Sequence, residues 1–220
     1  QPSAADVSEF WTEILKEYDE IVHIPTSSFL CSVCSTAQAL SAEFGGKVRV
    51  VDNHAISIAL HTSVINAATL RDKGLSTEEI ATTLESMTND YSVYFSLHGM
   101  EYLKRGGRIS AAAAAIGSIL KLRPVLHLND GKLEKFATPR TPVKAKEIMT
   151  AALADDLNNR FKEYYEKGEI GLIFAHAHNP EEVEEFKAEI TKLYPHLPVL
   201  ACDEISLSVA CHTGPGTLGV

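Results

Sequence analysis

The sequence predicts an α/β protein in two parts: an open, mainly parallel sheet domain, then a mixed α+β domain. Three observations carry that expectation. Helical and strand-like segments alternate through the first hundred residues, the rhythm of βαβ units. Val48 to Val51 is a continuous apolar run, as in a strand covered on both faces. The 220 residues, 45% of them hydrophobic and 22% charged, suffice for one large or two small domains with a core that needs no disulfide staple.

The elements follow in order. Ser3 and Asp6 cap a first helix, with Phe10, Ile14, Leu15 and Tyr18 on one face. Glu20 to Pro25 reads as a short buried strand. Thr26-Ser27-Ser28 turns into a helix through Ala37 and Leu40, which Gly45-Gly46 stops. After Val51, a helix through Ile58, Val64, Ile65 and Ala68 ends at Gly74. Ser76-Thr77-Glu78-Glu79 opens another, and Ser92 to Leu97 is a strand. Leu103 to Arg108 is basic and Gly-rich, and Ser110 to Leu122 is an Ala-rich helix. Pro124 to Leu128 and Lys132 to Thr138 form a hairpin around Asn129-Asp130-Gly131. A long helix is expected over roughly 142–167, then a strand from Ile170 to Ala175. Val183, Phe186, Ile190 and Leu193 mark one more helix, and strands are expected over 200–207 and from Val209 onward. The boundary between domains falls near residue 106, giving 1–105 and 106–220.

Charge and cysteine usage narrow the function. Twenty Lys+Arg against 29 Asp+Glu leave a net charge of -9, unsuited to general nucleic-acid binding. No apolar run is long enough to span a bilayer. Cys31, Cys34, Cys202 and Cys211 are too sparse for a disulfide scaffold, and no signal peptide is visible, so a reduced, cytoplasmic setting is expected. The chain opens at Gln1-Pro2-Ser3 without an initiator Met and stops on an apolar, strand-like ending, so both ends read as cut.

Three segments carry chemistry. Thr26-Ser27-Ser28-Phe29-Leu30-Cys31-Ser32-Val33-Cys34-Ser35 follows a strand and enters a helix, where backbone N–H groups and hydroxyls suit an anion. The alternative is that Ser27 and Ser28 only cap the helix. The Cys31/Cys34 pair has thioredoxin-like placement, and it also fits half a zinc site or two inert buried thiols. Tyr102-Leu103-Lys104-Arg105-Gly106-Gly107-Arg108-Ile109-Ser110, with Lys121 and Arg123, gathers five basic residues, suited to a carboxylate or phosphate; otherwise it is a connector. His212-Thr213-Gly214-Pro215-Gly216 is a rigid turn whose His and Thr can hydrogen-bond an acid group, or an ordinary turn beside a histidine. His176-Ala177-His178 sets two imidazoles on one face of an extended segment, but no partner is tied to them by spacing, so no metal is assigned. No Walker loop occurs.

Together and in this order, the Ser27-Ser28-x-Leu30 turn, the Gly106-Gly107-Arg108-Ile109 segment, Asp130-Gly131-Lys132 with Arg140, and His212-Thr213-Gly214-Pro215-Gly216 resemble the DegV family across essentially the whole chain. The resemblance implies a DegV-like fold of two α/β domains with a long-chain fatty acid between them. It implies a non-catalytic subunit of a bacterial fatty acid kinase, presenting the carboxylate to a separate ATP-binding kinase subunit that makes the acyl phosphate. No cofactor is implied beyond the fatty acid, and membrane contact is at most transient. By the same resemblance Ser28, Cys31, Ser32, Arg108, His212 and Thr213 surround the carboxylate. Phe29, Ile116, Ile119 and Leu120 line the acyl tunnel, and Arg140 docks the kinase. Two departures stand out. Cys31 replaces a family serine, and a thiol is a weak donor. Family chains also carry a segment ahead of Gln1, with a first strand and a Thr-Ser of the binding site, which is expected to be missing here. The alternatives are a thiol-disulfide oxidoreductase using Cys31/Cys34 and a lipid-binding module no longer coupled to a kinase.

Overall fold

Two sheets organise the chain in the computed structural model, which describes residues 1–108 and 122–220. They belong to two units, Gln1–Tyr91 with Asp130–Lys132, and Ser92–Asn129 with Leu133–Val220. The first unit opens with α1 (Ala4–Ile14), started by a capping box: Asp6 N donates to Ser3 Oγ and Ser3 N to the Asp6 carboxylate, each at 3.1 Å. Its buried stripe is Val7, Trp11 and Leu15, at i, i+4 and i+8. This corrects the expected face, since Phe10 and Tyr18 are 63% and 64% exposed. Trp11 packs with Ala37 of α2 (Val33–Ser41) and Val48 of β2 (Val48–Val50). β1 (Ile21–His23) runs parallel to β2, with Ile21 opposite Val48. α3 (Ser57–Asp72) follows, then α4 (Thr77–Ser86), whose Ile80, Ala81 and Leu84 cluster with Val51.

The second unit is built on a six-stranded sheet in the order β5-β4-β3-β8-β6-β7. These strands are β3 (Val93–Ser96), β4 (Val125–Asn129), β5 (Lys132–Ala137), β6 (Leu172–Ala177), β7 (Val199–Glu204) and β8 (Thr217–Gly219). β3 is antiparallel to β4 and β8, β8 is antiparallel to β6, and β6 is parallel to β7. The strand expected over 92–97 therefore pairs with residues 125–128 and 218–219, and this unit starts at Ser92 rather than near 106. Alternation along the chain does not say which sheet a strand joins; long-range pairing does.

Helices α6 (Pro142–Asn158) and α8 (Pro180–Leu193) cover this sheet. Their Met149, Val183, Phe186 and Ile190 bury fully with Leu172 and Phe174 of β6. Between them lies α7 (Lys162–Lys167). The single helix expected over 142–167 is thus two, broken where Asn158-Asn159, weak helix formers, end α6 and Phe161 N turns back to Asp156 O at 2.8 Å. Buried Asp156 accepts from Tyr94 Oη at 3.0 Å. Burial, with that carboxylate beside it, pushes the Tyr94 phenol up to about 12. Leu207–Thr213 is a helix, α9, and not a strand. Ser206 O accepts from Val209 and Ala210 N as soon as the β7 ladder ends, and a seven-residue segment with Val209-Ala210-Cys211 apolar in a row is too short for periodicity to separate helix from strand. A short helix, α5 (Glu101–Arg105), follows β3. No helix among the described residues is long and apolar enough to cross a membrane.

Candidate functional site

Strand directions bring the chemistry-bearing segments of the second unit to one end of its sheet. The end of β3 and the start of β4 lie side by side, as do the start of β8 and the end of β6. The chain leaves β3 into α5 and Gly106, and enters β8 from α9 and Gly214-Pro215-Gly216. α5 and α9 pack together. A Cβ on Gly106 would lie 1.9 Å from His212 Nδ1, so the imidazole sits directly on the glycine. Tyr102 packs likewise on Gly214. Arg108 Nη1 donates to Gly106 O at 2.7 Å. The basic Gly-Gly segment and the His-Thr-Gly-Pro-Gly segment, about a hundred residues apart, therefore form one cluster, and Arg108, His212 and Thr213 meet in it.

That cluster carries unsatisfied polar atoms. His212 Nδ1 and Thr213 Oγ1 are buried with no hydrogen-bond partner, and Thr213 is 6% exposed. Burial, with the Arg108 charge nearby, lowers the His212 pKa, which favours a neutral imidazole. Withdrawn from water, such groups cost about 1–3 kcal/mol each until a partner arrives.

In the first unit, the Ser27–Ser32 turn follows β1. Its backbone is more occupied than expected. Ser28 N donates to Asp52 Oδ1 at 3.3 Å, Phe29 N to Ser27 Oγ at 3.3 Å, and Leu30 and Cys31 N to Ser27 O. The anion taking the first amide is thus the protein's own carboxylate. Asp52 went unnoticed in the sequence. Its signal was its place just past a strand parallel to β1, where strand C-termini converge. Neither Ser27 nor Ser28 caps α2: the N-cap position is Ser32, whose hydroxyl donates to Gln1 Oε1 at 2.9 Å. Buried Ser27 Oγ donates to Gly131 O at 3.4 Å, and Asp130 Oδ1 accepts from His54 Nδ1 at 2.6 Å. Phe29 is 48% exposed, edge-on to His54 and under Lys132 Nζ. A cavity of about 40 Å³ nearby is lined by Pro2, Val7, His23, Val33, Thr36 and Ala37.

Cys34 is fully buried, and burial together with the Asp52 carboxylate pushes its thiol up to about 12, the reverse of what thiol-disulfide exchange needs. All four cysteines are free. His176 Nδ1 accepts from Asn179 N at 3.1 Å, while His178 lies past β6 at φ 49°, so the two imidazoles do not share a face of one strand. Among the described residues no group of His, Cys, Asp and Glu is arranged to hold a metal. Arg140 is exposed. Ile116, Ile119 and Leu120 lie outside the described residues, as do the expected Ala-rich helix and Lys121.

A family described as "Uncharacterised protein, DegV family" matches residues 1–220. A DegV domain-containing protein of Clostridium perfringens is 30% identical over 230 residues, covering 100% of this chain and 76% of that protein. Among solved structures, a DegV family protein of Thermus thermophilus, described for its fatty acid binding, has 32% identity and a TM-score of 0.81, covering 100% of this chain and 76% of that one. DegV of Bacillus subtilis, described as a fatty acid binding protein, has 29% identity and a TM-score of 0.81 at the same coverage. With a match from the first residue to the last, this chain belongs to the DegV family.

Proposed function

We propose that this chain binds a long-chain fatty acid and presents its carboxylate to a separate ATP-dependent kinase subunit, itself contributing no catalytic group. The observation that carries the reading is the pair of buried, unpartnered atoms, His212 Nδ1 and Thr213 Oγ1. A carboxylate accepts from a hydroxyl and from an imidazole N–H, and Arg108 beside His212 supplies the countercharge. Relatives described as fatty acid binding support the ligand class. Ser28, Cys31 and Ser32 are assigned to the same carboxylate. With the Ser28 amide already given to Asp52, their contribution is through side chains. Phe29 is assigned to the acyl tunnel, and exposed Arg140 to the kinase-docking face. Each buried CH₂ adds about 0.8 kcal/mol, so the tail supplies most of the affinity and the polar end the orientation.

Native mass spectrometry of the purified protein tests the ligand. A species heavier by one long-chain fatty acid is expected. Bare polypeptide mass, even after saturation with oleate, overturns the reading. Incubation with the kinase subunit and ATP, trapping acyl phosphate with hydroxylamine, tests the second half. A loaded protein that yields no hydroxamate removes the kinase coupling and leaves fatty acid binding in place.

A further inference from the structure

We propose that Arg123 and His98 form an oxyanion subsite on the second unit that takes a phosphoryl group. This goes beyond fatty acid binding and stands without it, because both residues belong to one unit. Arg123 lies just before β4 and His98 just past β3, and Leu97 N donates to Pro124 O at 2.9 Å, so the two occupy neighbouring strand ends. Arg123 N is anchored to Pro139 O at 2.8 Å, which fixes the backbone under the side chain. Its Nη1 is buried and has no hydrogen-bond partner. A guanidinium is always charged, and one of its nitrogens left without an acceptor is a costly thing to hold inside a protein.

His98 is exposed, so the site is open to solvent on that side. Its ring lies against Gly216, where a Cβ would come within 2.3 Å of Cε1. The only carboxylate acting on His98 among the described residues is Glu182, and that group accepts the Asn179 side-chain amide at 2.7 Å. Burial and the Arg123 charge lower the His98 pKa, which favours the neutral imidazole in the absence of an anion. A monoanionic carboxylate is matched by the guanidinium alone. A phosphoryl dianion, with three terminal oxygens, uses both donors and draws a proton onto His98.

The probe is inorganic phosphate, titrated at constant ionic strength into the intact protein, with the His98 imidazole followed by NMR. Saturable shifts of the ring resonances and a rise in the His98 pKa are expected. Arg123→Gln should weaken phosphate binding about tenfold or more, while Lys192→Gln, which removes a surface charge elsewhere, should leave it unchanged. Acetate at equal ionic strength should give no comparable shift. Three results overturn the proposal: Arg123→Gln binding phosphate like the parent, Lys192→Gln losing as much, or acetate matching phosphate, which would make this a carboxylate site. Should Arg123→Gln fail to fold, His98→Gln at the exposed partner carries the test. A loss of about threefold is expected there, and unchanged affinity refutes the subsite.

Discussion

Gly106→Ala isolates the placement of His212 from the stability of the fold. Gly106 has φ -76° and ψ -5°, which alanine adopts without strain, and its N–H still reaches Tyr102 O. The new methyl, however, would stand 1.9 Å from His212 Nδ1 and 2.7 Å from Cε1. Restoring an ordinary contact of roughly 3.5 Å requires the ring to move by about 1.5 Å. The backbone effect is stabilising by about 0.4–1 kcal/mol and the overpacking costs about 1–3 kcal/mol, so the net loss of stability lies between roughly zero and 2.6 kcal/mol. Misplacement of a polar group by about 1 Å can cost two orders of magnitude where orientation matters. Oleate affinity, measured by calorimetry on delipidated protein, should therefore fall by about tenfold or more while cooperative unfolding persists. Parental oleate affinity in a folded Gly106→Ala protein would refute the role given to His212.

Three further outcomes are expected. Thr213→Val removes a buried, unpartnered hydroxyl, so the ligand-free protein should gain about 1 kcal/mol in urea unfolding while its oleate affinity falls; a destabilised variant contradicts the reading. In mass-resolved alkylation at pH 8, exposed Cys211 should label far ahead of Cys34, whose thiol, buried and at about 12, ionises to only about one part in ten thousand; the opposite order would restore a redox role. His23, His98, His127 and His212 all have lowered pKa values, with burial the leading cause. The unfolded chain therefore binds protons first as the pH falls below about 6.5, and the melting temperature should decline from there, above the carboxylate range; a flat or rising profile would contradict the burial.

What the sequence made legible was local. The capping boxes at Ser3 and Ser76 need only three residues of reach, and both form. Asp130-Gly131 makes its turn because φ is positive at both positions, which Asp tolerates and Gly prefers. The meeting of Arg108 with His212 was legible only through a family pattern, since nothing in either segment's spacing points to the other. Pairing across distance was hidden. β3 reads like one more strand of an alternating series, and only its partners at 125–128 and 218–219 assign it to the second sheet. The Leu207–Thr213 helix was hidden for a different reason: seven residues with Val209-Ala210-Cys211 apolar in a row are too few for periodicity to separate helix from strand, and the stop at Gly214 is compatible with either state.

The two polar clusters differ in a way that bears on how a carboxylate is held. In the first unit the Ser27–Ser32 turn has given one amide to Asp52 and three others to Ser27, and Ser32 Oγ to Gln1. Those groups lose a partner when a ligand displaces one, so each exchange is close to neutral. In the second unit His212 Nδ1 and Thr213 Oγ1 have no partner to lose. A hydrogen bond formed there recovers a desolvation cost already present in the ligand-free fold. On the proposed reading, specificity for an acid group resides mainly in the second unit. On the same reading, Cys31, a weak donor in the already occupied turn where the family resemblance implies a serine, costs correspondingly little. Cys31→Ser should then raise oleate affinity by no more than about threefold, whereas Thr213→Val should lower it by more than that. A Cys31→Ser gain that exceeds the Thr213→Val loss would move the acid-binding centre to the first unit.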